Sequence, residues 1–292
     1  MFVTRLISGI ILVILALITM GYGEILLLLT LMGLSLVGYL ELTKASGVRK
    51  NTDTLKQDKV TEQTMQSVNG LEIVGILGIL AYYGFLYGSE YVALDRHFLI
   101  LFAIILLFMA TMFVYVFAFP KFRSEQVMSA FFSFVYAPVC LSFIYLTRQL
   151  EIGIYVVWLI LLCSWGCDTC AYAVGILIGK HKMSPHLSPK KSIEGAVGGV
   201  VGAIALGALY GLYVEEKVPQ AENIVPVFAV ICGIGALISM VGDLAASAIK
   251  RNHDIKDYGK LIPGHGGILD RFDSVIFTAP MIYFLASNFL VI

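Results

Sequence analysis

The feature that most constrains the fold of this chain is a succession of apolar runs, each 17 or more residues long. As a helix, each run is long enough to cross the ~30 Å hydrocarbon core of a bilayer. Hydrophobic residues make up 59% of the chain, against about 45–50% in soluble domains. Short alternating strands are absent, which disfavours a β-barrel. The pattern predicts an all-α polytopic membrane protein with about nine transmembrane helices, at about 3–20, 23–42, 71–89, 97–119, 127–147, 152–178, 194–214, 224–249 and 272–291.

The distribution of lysine and arginine predicts the orientation of these spans. If the N-terminus is cytoplasmic, 17 of the 20 basic residues fall on the cytoplasmic side. Only Arg96, Arg148 and Lys217 then face the other way. This is the asymmetry that the positive-inside rule describes. No small-residue cleavage site follows the first run, so we expect it to be a retained helix rather than a signal peptide. We expect a bacterial-type cytoplasmic membrane.

The chain divides by polarity into two regions. Residues 1–150 hold five spans almost free of interior charge, which predicts a structural, lipid-facing region. Residues 151–292 hold four spans with polar cytoplasmic loops, which predicts the catalytic region. The polar segment 43–70 indicates a solvated linker, with an amphipathic surface helix as the alternative. A stripe of glycines at helical spacing in residues 195–202 is typical of close helix packing in membranes.

The segment Ser247–Asp273 carries 12 ionisable side chains in 27 residues, although only 14% of the whole chain is charged. Just before and within it, Asp243, Ser247 and Lys250 share one helix face, and Asp270 and Asp273 form an i, i+3 pair. Carboxylates held together repel unless cations offset them. Hard oxygen ligands combined with substrate phosphates suit Mg²⁺. The alternative is a structural ion pair between Asp243 and Lys250, but this does not account for the other two carboxylates.

A glycine-rich turn, Gly264-His265-Gly266-Gly267, lies between these carboxylates. Glycines let backbone N–H groups approach a phosphate closely. His265 could instead cap a turn. Together with the carboxylates, the turn favours a metal–phosphate site.

A second polar cluster surrounds the end of the sixth run. Asp168 lies about ten residues inside that run, where an unpaired carboxylate is costly. Ser188-Pro189 is typical of a helix N-cap followed by proline. Lys190 and Lys191 would then lie in the first helical turn, where a bound phosphate would offset their charge. The alternative is that the two lysines anchor the next span on the positive side.

At these residues the chain resembles a known family. The pattern Ser-x-Ile-Lys-Arg from Ser247, Lys-Asp at 256–257 and Pro-Gly-His-Gly-Gly-x-x-Asp-Arg-x-Asp from Pro263 is similar to the signature of the phosphatidate cytidylyltransferases, or CDP-diacylglycerol synthases. The resemblance is close from about 163 to 280 and weak before 150. Cys170 departs from it, since relatives often have glycine there. Further matches are Asp168-x-x-Ala-Tyr172, Ser188-Pro-Lys-Lys-Ser192, Glu194-Gly195 and Gly242-Asp243.

The resemblance implies Mg²⁺-dependent transfer of CMP from CTP to phosphatidate, which gives CDP-diacylglycerol and pyrophosphate. It implies metal binding by Asp243, Asp270 and Asp273, and catalytic roles for Lys250, Arg251, His265 and Asp270. Substrate-binding roles fall on Asp168, Tyr172, Ser188, Lys190, Lys191, Ser247, Lys256, Gly266, Gly267 and Arg271. Membrane lipids are expected partners, a homodimer is compatible with the sequence, and no nucleic acid is expected to bind.

Two other functions fit parts of the pattern. A CTP-dependent polyisoprenol kinase, of the dolichol kinase type, would also use a metal, a triphosphate and a lipid groove, but would release CDP. An ion-coupled transporter would also place Asp168 and Asp243 within spans. It would need polar residues in both halves of the chain, and the first five spans have almost none.

Overall fold

The computed structural model describes residues 2–49, 67–89, 91, 95–185, 187–264 and 266–290. Within these ranges the chain forms nine helices and one β-hairpin. Each helix begins and ends within three residues of a predicted apolar run. The helices are α1 Phe2–Tyr22, α2 Glu24–Ala45, α3 Gly70–Gly88, α4 Arg96–Phe117, α5 Ser124–Arg148, α6 Gly153–Ile178, α7 Ile193–Glu215, α8 Ile224–Asn252 and α9 Leu269–Phe289, with strands β1 Lys182–Ser184 and β2 Ser188–Ser192 between α6 and α7.

Seven of these helices, α2 to α8, are long and apolar enough to cross a membrane. The apolar stretch Ile7–Tyr22 in α1 is shorter, and α9 begins with three charged side chains. Many large apolar side chains on the outer surface are exposed, which is expected where lipid replaces water. The protein is therefore a mostly helical, polytopic membrane protein, as predicted, while the count of nine passes stays a prediction.

Two of the long helices contain a π-helical turn. One lies at Val135–Val139 in α5 and includes Pro138; the other lies at Leu162–Gly166 in α6. Such a turn inserts one extra residue into the helix and is frequent at functional sites. The turn in α6 ends two residues before Asp168, so it helps to set the direction of that carboxylate.

Helices α6, α7 and α8 pack closely through small residues. A Cβ atom on Gly199 of α7 would lie 3.0 Å from the Cys167 sulfur and 3.0 Å from the Ala171 Cβ on α6. A Cβ on Gly207 would lie 2.6 Å from the Cys232 sulfur on α8. The glycine stripe therefore packs helices together, as its spacing predicted. This close approach brings the polar residues Asp168 of α6 and Asp243 of α8 to the same place.

The helix start predicted at Ser188 is wrong. Ser188 is instead the first residue of β2, which pairs antiparallel with β1. Helix α7 begins at Ile193, and its N-cap is Ser192, whose hydroxyl accepts a hydrogen bond from the Gly195 N–H at 3.1 Å. Both Ser188 and Ser192 could cap a helix. The backbone N–H and C=O groups of residues 188–192 instead pair with β1, so the helix begins only after Ser192. The two lysines lie in a strand, so the helix dipole gives no argument for phosphate there.

The ends of the polar segment 43–70 are held against α3. The Glu72 carboxylate is fully buried and contacts the Arg49 side chain at 2.8 Å and the Thr43 hydroxyl at 2.7 Å. Asn69 caps α3 in a reciprocal arrangement with Glu72. Residues 50–66 lie outside the described residues, so the choice between a linker and a surface helix is untested.

Candidate active site

A cavity of about 600 Å³, here the acidic cavity, opens where α1, α6, α8 and α9 meet. The walls combine carboxylates with the cationic side chains of Lys250 and Arg271. Three apolar or small residues of α1, namely Gly9, Leu12 and Val13, also line the cavity. The carboxylates belong to Asp168, Asp243, Asp257, Asp270 and Asp273. The structure therefore brings together four of the acidic residues that the sequence singled out.

A second cavity, of about 590 Å³, shares Asp168 and Asp243 with the first. We name it the lysine cavity because Lys182, Lys190 and Lys191 line it. At its outer edge, Tyr172 and Ile176 are 72% and 65% exposed on the apolar flank of α6. The two carboxylates thus join an acidic compartment to a basic one that reaches the hydrophobic surface.

A third cavity, of about 660 Å³, lies in the loop between α8 and α9 and shares Asp257 and Arg271 with the acidic cavity. We name it the loop cavity. Its other polar residues are Lys256 and Lys260, and Gly266 contributes backbone. Gly266 has φ +90°, a conformation that favours glycine. The cationic side chains are suited to an anion, whereas the Gly266 N–H already donates to Ile262 O at 3.1 Å.

Two ion pairs connect the walls of the acidic cavity. The Lys191 ammonium contacts the Asp243 carboxylate, and Lys250 Nζ donates to Asp270 Oδ1 at 2.9 Å. The proposed pairing of Asp243 with Lys250 is therefore wrong, because each has another partner. Lys191 of β2 contacts Asp243 of α8, so the hairpin and α8 are held together at the site.

The Asp270 carboxylate is largely occupied by the loop that precedes it. Its Oδ2 accepts hydrogen bonds from the backbone N–H groups of Tyr258, at 2.8 Å, and Gly267, at 3.0 Å. The Tyr258 hydroxyl donates to Ala246 O at 3.0 Å. Burial raises the pKa of Tyr258 well above its usual value, with smaller contributions from Tyr136 and nearby carboxylates, so the hydroxyl stays a donor. Asp270 thus folds the loop between α8 and α9 onto the site.

The metal site predicted for Asp243, Asp270 and Asp273 remains untested. Among the described residues, no three His, Cys, Asp or Glu side chains are gathered closely enough to hold a metal by themselves. Mg²⁺ usually needs only one or two carboxylates together with waters and substrate phosphates. Asp273 lines the acidic cavity, and its Oδ1 accepts the Ser274 N–H at 2.8 Å. Asp243 and Asp273 therefore fit a Mg²⁺ ion that is shared with a phosphate ligand.

The remaining predicted residues lie around these cavities. Ser247 lies on α8, between the turns that carry Asp243 and Lys250, and Arg251 is exposed at the end of the same helix. Ser188 begins β2 at the edge of the lysine cavity's hairpin. His265 lies outside the described residues, so its predicted role is untested.

Sequence reasoning missed Glu41. Its two carboxylate oxygens accept the backbone N–H groups of Ile268 and Leu269, at 3.1 and 3.0 Å. The available signal was a carboxylate inside the second apolar run, where charges are rare and usually functional. The contributions of Leu12 and Val13 had no such signal, because they are apolar residues in an apolar helix.

The profile of the cytidylyltransferase family matches residues 3–289. The chain belongs to the cytidylyltransferase family. It is 32% identical over 232 residues to the phosphatidate cytidylyltransferase of Bacillus subtilis, which covers 77% of this chain and 82% of that one. Shorter matches are to the phosphatidate cytidylyltransferases of Synechocystis, 42% identical over 45% of this chain and 43% of that one, and Thermotoga maritima, 36% identical over 51% and 55%. The resemblance drawn from the motifs is confirmed, and many of the motif residues line the three cavities.

Proposed function

We propose that this protein transfers CMP from CTP to phosphatidate, giving CDP-diacylglycerol and pyrophosphate for phospholipid biosynthesis. Family membership and the names of the bacterial relatives support the activity. The observation that carries it is that the acidic and lysine cavities share Asp168 and Asp243. A charged nucleotide and the head group of a membrane lipid can therefore meet at one pair of carboxylates.

The reaction needs no nucleophile from the protein. An oxygen of the phosphatidate phosphate bonds to the α-phosphorus of CTP, and the bond from that phosphorus to the bridging oxygen breaks. The electron pair leaves with pyrophosphate. Both reactants are anions, so the work left to the protein is to bring them together and to offset their charge.

The lysine cavity suits the lipid substrate. Lys190 and Lys191 would bind the phosphate of phosphatidate, with Tyr172 at the opening and Ser188 at the start of the same strand. The acyl chains would remain in the bilayer beside the exposed flank of α6, where Ile176 lies. A lysine ammonium is a compact cation that suits a phosphate monoester without demanding a fixed geometry.

The loop cavity and the end of α8 suit the triphosphate. Lys256, Arg271 and Gly266 line the loop cavity, and Gly267 follows Gly266 in the chain. The N–H groups of the two glycines already donate to Ile262 O and Asp270 Oδ2, so the side-chain cations would carry most of the binding. Lys250 adds a cation to the acidic cavity, while Arg251 and Ser247 lie on the same helix. In this proposal His265 would orient or protonate the leaving pyrophosphate.

Mg²⁺ is the metal that this site would take. When bound, the ion would offset the charge of the triphosphate and favour departure of pyrophosphate. Asp243 and Asp273 would hold it, with Asp168 beside them. Asp270 would support the ion by fixing Lys250 and the loop. Direct binding of the ion by Asp270 stays a prediction.

We also propose how the nine helices are oriented in the membrane. All nine helices would cross the bilayer, with the N-terminus and the three cavities facing the cytoplasm, where CTP is available. The membrane would be the bacterial cytoplasmic membrane, in line with the bacterial relatives. Charge asymmetry across the spans supports this orientation. A homodimer remains compatible with it.

The test is product analysis with purified protein, phosphatidate, Mg²⁺ and CTP labelled in the α-phosphate. The proposal predicts label in CDP-diacylglycerol and release of unlabelled pyrophosphate. Label in free CDP, formed with a polyisoprenol acceptor, would instead identify a lipid kinase. Absence of both products, with ion flux in proteoliposomes, would identify a transporter.

A further inference from the structure

Glu41 joins the N-terminal region to the loop between α8 and α9 and to the start of α9. It lies near the carboxyl end of α2 and is half-buried. Its oxygens Oε1 and Oε2 accept the N–H groups of Ile268, at 3.1 Å, and Leu269, at 3.0 Å. One carboxylate therefore holds two consecutive backbone groups that lie more than 200 residues away in sequence.

Those two N–H groups belong to the start of α9, which lacks a cap of its own. The first N–H groups of a helix have no partner within the helix. The N-cap residue is Ile268, and no side chain at that position makes a capping hydrogen bond. A negative charge is also favoured at a helix N-terminus. Glu41 thus supplies from α2 the cap that the local sequence omits.

Two glycines from separate parts of the loop make room for this carboxylate. A Cβ atom on Gly259 or on Gly267 would collide with the Glu41 side chain. The backbone between α8 and α9 is therefore folded around Glu41 at two points. A carboxylate that merely lay at the membrane surface would not require such close approach.

Glu41 and Asp270 together fix the same short stretch of backbone. The Gly267 N–H goes to Asp270, and the next two N–H groups go to Glu41. Two carboxylates side by side repel, which disfavours the arrangement. The two carboxylates nevertheless fix the first turn of α9. Asp273 lies three residues after Asp270 and therefore on the same face of α9.

We propose that Glu41 is a positioning residue for the transfer reaction, acting through the backbone at 267–269 to hold Asp270 and Asp273 in place. This inference rests on the proposed function, and it assigns a role in the reaction to a helix of the N-terminal region. Misplacement of a reacting group by about 1 Å can lower a rate about 10²-fold. Loss of the Glu41 contacts should therefore reduce turnover more than substrate binding.

The experiment compares Glu41→Gln with Glu24→Gln, the same change at the exposed opposite end of α2. Hydrogen exchange of the segment around 266–270 should be about tenfold faster or more in Glu41→Gln, because hydrogen bonds to charged groups contribute on that scale. Its kcat should fall about 10- to 100-fold, with the KM for CTP changed by less than about threefold. Glu24→Gln should leave both unchanged.

Unchanged exchange near α9 in Glu41→Gln would overturn the inference, and so would faster exchange with wild-type kcat. If the Gln variant fails to fold, Glu41→Asp keeps the charge on a shorter side chain and should show an intermediate kcat; wild-type kcat would then count against the role. A wild-type protein without transferase activity would refute the proposed function instead, while the exchange measurement would still report on the contact.

Discussion

Among the single residues of the site, Lys191 connects the two cavities, because its partner Asp243 lines both the acidic and the lysine cavity. Lys190, its neighbour, is exposed and lines the lysine cavity alone. Alternate residues of a strand point to opposite faces. The two lysines therefore have different surroundings, although the sequence presents them as a matched pair.

Replacing either lysine by alanine should impair the reaction while the protein still inserts and folds. Lys191→Ala should have the larger effect on turnover, because it also leaves the Asp243 carboxylate without its partner. Lys190→Ala should chiefly raise the KM for phosphatidate, because it removes a cation from the lipid side. Steady-state kinetics on purified variants measures both effects. Lys217→Ala is the control, because Lys217 lines none of the three cavities. Wild-type kinetics in both test variants would mean that Lys190 and Lys191 only anchor the topology.

At the scale of elements, the hydropathy of each run was enough to predict the helices. Whether a run of about 20 apolar residues is a membrane helix depends on its own composition, and all nine began and ended close to prediction. The hairpin at residues 182–192 escaped prediction because pairing between its strands decides its structure. The contact from Glu41 to α9 escaped for the same reason, since it joins residues distant in sequence.

Within the site, sequence spacing correctly gathered Asp243 and Lys250 on one face of α8, and both line the acidic cavity. Sequence could not say which cation each carboxylate would pair with. The Lys191–Asp243 contact depends on how closely α7 packs against α8, and that packing is a property of the folded bundle.

The contact between α6 and α7 should be intolerant of added volume. Gly199→Ala places a Cβ 3.0 Å from both the Cys167 sulfur and the Ala171 Cβ. Overpacking of this kind costs about 1–3 kcal/mol. Gly84→Ala is the matched control, because no atom lies within 4 Å of its added Cβ and alanine favours a helix. Thermal unfolding in detergent should show a lower Tm for Gly199→Ala only, and equal Tm values would argue against close packing of these helices.

On the scale of the whole molecule, the proposed topology places the loop between α8 and α9 opposite the loop between α7 and α8. An engineered cysteine, Lys256→Cys, should react with an impermeant thiol reagent only from the cytoplasmic face. Lys217→Cys should react only from the other face. Inside-out and right-side-out vesicles provide the two measurements, with the parent chain as the control for its own five cysteines. Labelling of both positions from one side would contradict the topology.

The central claim is that the acidic cavity holds Mg²⁺ against the triphosphate of CTP, which the adjoining loop cavity binds. The carboxylates Asp243 and Asp273 test this claim most directly. Asparagine at either position keeps the shape but removes a charge. The measurement is the rate of CDP-diacylglycerol formation per folded molecule across a Mg²⁺ titration, with Asp95→Asn at the exposed N-cap of α4 as control.

We predict that each site variant loses about 10²–10³ in rate, equivalent to roughly 3–4 kcal/mol. Each should also need more Mg²⁺ for half-maximal activity, or be partly rescued by Mn²⁺, while the control behaves as wild type. Unchanged turnover and unchanged metal dependence in both site variants would contradict the account.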